Sequence, residues 1–296
     1  MSRGAVGVAL ATVGAVIFGV AATLVGYVID DIDAFQLASL RIAVAGLVLL
    51  PWAIVHRAAI WRAPVLVGLV GVLQIVLNGS LYVAIDRIGV GPAVGLEFLA
   101  PVFVVTWDRI AGHEHPRPIT WAAVASAVIG VALLVQIGDL EGLDMVGLIA
   151  GLVSAIGLAI YLRLAEHVGG IVGGFPLAAG AITIGGFVGL ILARPWSMSI
   201  PSDPVVIWSV IILGTFALAL PLSMEIAALS RVPARIIGVI ITIEPVAAAV
   251  TAWIFLDQEL GTSQIFGLIL IVVAVAAVSL TASSSRSDPA AVPEPS

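Results

Sequence analysis

Four charged side chains stand in otherwise apolar stretches: Arg41, Glu97, Glu225 and Glu244. Charge in hydrocarbon is costly, so such residues pair with one another or serve the path of an ion or substrate. Depth along a helix separates them. Arg41 and Glu97 each lie about seven residues into a span, roughly 10 Å deep from the same side, and this spacing predicts an ion pair that could gate that side. Glu225 lies about four residues before the opposite end of its span, near the level of Arg235, so a second pair could close that end; Arg231 is a further gate or ion-pair candidate there. Glu244 is about eleven residues into its span, roughly 16 Å from the edge and so near the midplane. No basic residue shares that depth. A carboxylate there can take up and release a proton, or hold an ammonium group. Pro245 follows and has no N–H to bond the carbonyl of Ile241, which is therefore expected to be a free acceptor. Thr242 joins Glu244 as a candidate for binding substrate or proton.

Gln74, Asn78 and Tyr82 recur at i, i+4 and share one helical face, a second candidate binding surface. Lone hydroxyls at midplane depth, Ser154, Thr183 and Thr215, are expected to bond back to their own helices.

The elements that must position these groups follow from composition. Of 296 residues 61% are hydrophobic and 10% charged, against roughly 45–50% and about 25% in soluble chains. Ten spans can be drawn, at about 5–29, 34–55, 63–85, 90–110, 119–137, 144–165, 171–193, 205–228, 233–256 and 264–282. Met1-Ser2-Arg3 leads into an apolar stretch too long for a signal-peptide core, which is expected to be a retained first helix. With the N-terminus inside, nine arginines fall on the cytoplasmic side and only Arg87 and Arg194 outside. Short loops obey this bias well, so both termini are expected to be cytoplasmic. The residues after 282 are rich in Ser, Pro and Ala, and 283–296 reads as a disordered cytoplasmic tail.

An internal repeat organises the spans. Arg87 precedes Pro101 by fourteen residues, and Arg231 precedes Pro245 by fourteen, an offset of 144 in both cases. Residues 1–142 and 143–282 thus form two five-span units. Five is odd, so the units must be inserted in opposite senses, with a site between them. The expected fold is an all-α integral membrane protein of ten transmembrane helices in two inverted repeats.

Enzymatic chemistry finds no support in the residues. The chain has no cysteine and no lysine, hence no thiolate nucleophile and no phosphate-binding Gly-x-x-x-x-Gly-Lys loop. The pattern His113-Glu114-His115 lacks the i, i+4 spacing of a helical zinc site. Neither a metal nor another cofactor is expected.

The residues around these charges carry a family likeness. Asn78-Gly79-Ser80-Leu81-Tyr82, Gly91 and Leu96-Glu97-Phe98-Leu99-Ala100-Pro101 resemble the EamA branch of the drug/metabolite transporter superfamily. Closer still, Ala219-Leu220-Pro221-Leu222-Ser223-Met224-Glu225, Ala228 through Arg235, Gly238 and Glu244-Pro245 resemble its threonine/homoserine exporter group. Pro101, Pro221 and Pro245 are read as helix breaks within these motifs. The resemblance implies a bacterial inner-membrane exporter of amino acids such as threonine or homoserine, working by alternating access and exchanging its cargo for protons. Nucleosides, aromatic metabolites or cationic drugs are the alternative cargo on the same fold. Asp86 and Leu158 depart from the group, where a basic and an aromatic residue are expected, which leaves the substrate open. The expected partners are a small molecule, protons and the bilayer, with no nucleic acid; a homodimer stays open.

Overall fold

A computed structural model describes residues 3–110, 118–134, 144–193, 203–229, 231–232, 240–241 and 243–284. The described chain is helical. Helix α1 (Arg3–Val28) ends in one 3-10 turn, Ile29–Asp31, and α2 is Ala34–Val55. A single turn, α3 (Arg57–Ile60), leads to α4 (Pro64–Ile88). Next come α5 (Val90–Glu97), α6 (Ala100–Ile110) and α7 (Pro118–Leu134). Then α8 (Met145–Val172), α9 (Gly174–Ala193) and α10 (Pro204–Gly214) follow. A π-helical turn, Thr215–Ala219, joins α10 to α11 (Leu220–Leu229). Last are α12 (Ile243–Leu256) and α13 (Thr262–Ser284).

Six of these segments are long and apolar enough to cross a membrane: 4–31, 34–55, 64–88, 145–172, 174–193 and 204–225. Four shorter apolar helices, over 90–104, 121–134, 243–256 and 262–277, occupy the remaining expected spans. The expected continuous span at 90–110 is broken at Phe98-Leu99. Pro101 explains the break, because it cannot donate to the carbonyl of Glu97 four residues earlier.

Polarity is turned inside out relative to a water-soluble protein. Leu47, Val55, Val65, Phe187 and Phe266 are exposed, whereas Arg41, Gln74, Asn78, Glu97 and Ser154 are buried. Trp52, Trp61, Trp107, Trp208 and Trp253 are also exposed and lie toward helix ends, the level at which indoles favour a membrane interface. Acidic residues of the connecting loops act as helix caps. Asp33 accepts from the N–H of Gln36 at 2.8 Å, Asp203 from Val205 at 2.7 Å, and Asp144 from both Val146 and Gly147 at 2.9 Å. Each carboxylate satisfies orphan donors at a helix start and complements the dipole there.

In lipid, apolar burial gives helices little reason to associate, so small residues that let backbones touch do the work. Helix α2 packs on α9 where Gly46 meets Thr183 and Gly186, and α4 packs on α9 where Gly71 meets Gly185. Helix α7 packs on α13 through Gly130 and Gly267. Helix α1 lies against α12, with Gly19 on the backbone of Glu244 and Thr23 bonded to Thr251 at 2.5 Å. Gly89, at φ 82°, makes the reversal between α4 and α5, a conformation costly for any residue with a Cβ. Val90, directly after it, donates its N–H to Gln258 at 3.1 Å.

Candidate functional site

The site begins with α4. Its i, i+4 face presents Gln74, Asn78 and Tyr82, all buried. Asn78 Nδ2 donates to the backbone and side-chain oxygens of Gln74, at 2.8 and 2.9 Å. This leaves Asn78 Oδ1 as an acceptor, and Arg41 from α2 donates to it through Nη1 at 3.3 Å. The same Nη1 donates to the hydroxyl of Tyr82 at 2.6 Å. Arg41 Nη2 reaches across to the carbonyl of Ala217 at 2.9 Å.

That carbonyl is available for a reason legible in the chain. Pro221 stands four residues on and has no N–H to offer it. The π turn over Thr215–Ala219 widens the helix at the same point. Proline chemistry in one helix therefore supplies an acceptor for an arginine in another.

Tyr82→Phe removes the shortest of the Arg41 bonds while keeping the ring. It is expected to cost about 1–3 kcal/mol, because a buried charged donor loses one of its partners. A lowered Tm in detergent, with unchanged helical content by circular dichroism, would register it.

Glu97 ends α5 at the break and is buried. Its Oε1 accepts from Ser154 Oγ of α8 at 2.9 Å, and the same Oγ lies 3.0 Å from the carbonyl of Leu77 in α4. A single hydroxyl of α8 thus reaches acceptors on both α4 and α5. Among the described residues Arg41 and Glu97 form no ion pair, which corrects the expected contact. Equal depth does not set the azimuth of a side chain, and the neutral acceptors on α4 and Ala217 claim the guanidinium instead.

Glu225, in α11, is half-buried and within range of the Tyr161 hydroxyl of α8, which also lies near Gln74. Glu244 is half-buried at the start of α12 and faces the charges of Glu97, Glu225 and Arg41. The expectation that no basic group lies near Glu244 is thus corrected: α2 brings Arg41 into its field. The carbonyl of Ile241 is not free either, because the N–H of Glu244 itself bonds it at 3.0 Å. An i to i+3 bond takes up the acceptor that proline leaves. Pro221 and Pro245 are both buried, in the first turns of α11 and α12, and Pro101 lies in the first turn of α6. Arg231 donates to the carbonyl of Ala227. Arg235 and Thr242 lie outside the described residues.

Two participants were not among the sequence candidates. Tyr161 lies seven residues after Ser154, two turns along the same face of α8, which is a usable signal. The Ala217 carbonyl carries only the indirect signal of Pro221. Ser154 and Thr183 do not bond back to their own helices: Thr183 donates to the carbonyl of Gly46 at 3.3 Å, across to α2.

A bundle of apolar helices that buries an arginine and a carboxylate, with two half-buried carboxylates nearby, has the form of a membrane transporter. Comparison with known proteins agrees, and the chain belongs to the EamA-like transporter family, whose pattern matches residues 5–136 and again 145–280. It is similar to the threonine/homoserine exporter RhtA of Escherichia coli strain K12, 30% identical over 252 residues, covering 82% of this chain and 81% of that one. The RhtA of Salmonella typhimurium strain LT2 is 29% identical over the same shares. The inner membrane transporter YicL of that strain is 22% identical over 284 residues, or 90% of this chain and 93% of its own. A solved crystal structure shares the fold at a TM-score of 0.66 and 17% identity, covering 95% of this chain and 99% of that one. The protein is a multi-pass membrane transporter whose relatives are membrane transporters, the RhtA proteins among them exporters, and not enzymes.

Proposed function

We propose that this transporter exports small amino acids such as threonine or homoserine across the inner membrane, in exchange for protons. The observation that carries the reading is that Glu97, Glu225 and Arg41 all lie within electrostatic reach of Glu244. A zwitterion carries both charges that such a region can complement. The similarity to threonine/homoserine exporters over four-fifths of the chain supports that cargo.

Glu244 is the working carboxylate in this reading. An ammonium and a proton are both cations and compete for it. From the inside, substrate ammonium displaces the proton; from the outside, a proton displaces the ammonium. One proton inward against one neutral zwitterion outward moves one positive charge inward, so the membrane potential assists export by roughly 2.3 kcal/mol per 100 mV.

Alternating access would come from two inverted five-helix repeats, 1–142 and 143–282, with both termini cytoplasmic. Contacts at the 144-residue offset support this arrangement. Ser126 bonds the carbonyl of Leu270, its own counterpart 144 residues on. Gly189 rests on Ser39 while Gly46 rests on Thr183, a nearly reciprocal exchange of equivalent positions. A two-fold axis in the membrane plane produces such contacts.

The test is counterflow in proteoliposomes. Labelled threonine or homoserine is expected to accumulate against an unlabelled load, and an inward proton gradient is expected to drive efflux. Failure with both amino acids, alongside transport of a nucleoside or an organic cation, would overturn the cargo.

A further inference from the structure

Arginine carries five N–H donors. In Arg41 the two on Nη1 serve Asn78 and Tyr82, and one on Nη2 serves Ala217. Nε is buried and has no partner among the described residues. The donors left over are therefore that of Nε and one on Nη2. These two nitrogens share an edge of the guanidinium, along which parallel N–H bonds match the two oxygens of a carboxylate.

The partners already made share another property. An amide oxygen, a phenol and a backbone carbonyl are all neutral, so they hold the group in place without cancelling its charge. Arg41 is 5% exposed, and among the described residues no carboxylate lies within ion-pair distance of it. A fixed buried cation with two idle donors is poised for an anion that arrives from elsewhere. The surrounding charges narrow what that anion is. Glu97 and Glu244 are close enough for their fields to reach Arg41, so in their ionised forms they repel a simple anion. A molecule whose carboxylate is accompanied by an ammonium group satisfies both signs at once.

We infer that the Nε–Nη2 edge of Arg41 binds the carboxylate of the exported amino acid, opposite a glutamate that holds its ammonium. The inference rests on the amino-acid cargo proposed above and assigns the group that separates amino acids from simple amines. Asn78, Tyr82 and the Ala217 carbonyl act as positioning groups that aim the fork.

Competition against labelled threonine counterflow tests this in the wild-type protein. Threonine methyl ester keeps the ammonium and lacks the carboxylate, and is expected to compete on the order of tenfold more weakly than threonine. Arg41→Lys keeps a cation but not the fork. It is expected to weaken threonine on the order of tenfold while leaving the ester's affinity nearly unchanged, so the two become similar. Equal competition by ester and acid in the wild type, or an undiminished preference in R41K, would overturn the inference. If R41K does not fold, the wild-type comparison alone decides. If the wild type carries no amino acid, the proposed cargo fails separately. The same comparison is then made on the substrate it does carry: a preference for carboxylated cargo upholds the role of Arg41, and cargo without a carboxylate ends it.

Discussion

Glu244→Gln is expected to abolish proton-driven export, with a loss on the order of a hundredfold, while the protein still folds. Glutamine keeps the shape and hydrogen-bonding ends of a protonated glutamate but can neither release a proton nor balance an ammonium charge. The variant thus imitates one state of the cycle permanently. The carboxylate stands at the first turn of α12, held there by Gly19 of α1 against its backbone, and faces Glu97, Glu225 and Arg41. Substituting it removes the group on which proton and cargo compete, and an intramembrane carboxylate of this kind has no substitute in lipid. The measurement is threonine efflux from proteoliposomes under an imposed proton gradient, with monodispersity checked by gel filtration. Glu225→Gln provides the contrast, since its neighbour is the Tyr161 hydroxyl rather than Arg41. Undiminished proton-driven efflux in E244Q would falsify the role assigned to Glu244.

The second large effect is on stability and comes from a glycine pair one turn from a silent glycine. A Cβ at Gly185 would sit 2.6 Å from the carbonyl oxygen of Gly71, and a Cβ at Gly71 would press on the carbonyl of Ala181. Backbone atoms cannot swing aside as a side chain can. Gly71→Ala or Gly185→Ala must therefore push α4 and α9 apart, at about 1–3 kcal/mol each and more when combined. Gly68, one turn earlier in α4, has nothing within 4 Å of a Cβ. There alanine only relieves the conformational freedom of glycine, and Gly68→Ala is expected to stabilise by about 0.5–1 kcal/mol. Thermal unfolding of the three variants in one detergent gives opposite signs if the helices touch as described. A Tm for G71A at or above that of the wild type would mean that α4 and α9 do not approach so closely.

Much of this architecture was open to inspection in the chain. Hydropathy placed the helices, because lipid tolerates no unsatisfied backbone and few charges. The i, i+4 recurrence of Gln74, Asn78 and Tyr82 put them on one face, and they do form one hydrogen-bonded ladder with Arg41. Pro101 marked the break after Glu97.

The partnerships were a different matter. Rise per residue reports depth, and depth alone suggested that Arg41 would meet Glu97. Rotation about each helix axis and the closeness of neighbouring helices decide which side chains touch, and glycine contacts between remote segments set both. Thus Arg41 finds a carbonyl 176 residues away, and Glu97 finds Ser154 rather than an arginine. By itself, then, the sequence determined that a few charges must lie within a helical membrane protein of the transporter kind. Only the tertiary structure decided that Glu244 shares its surroundings with Arg41, because that proximity depends on four helices packing together and not on any spacing along one of them.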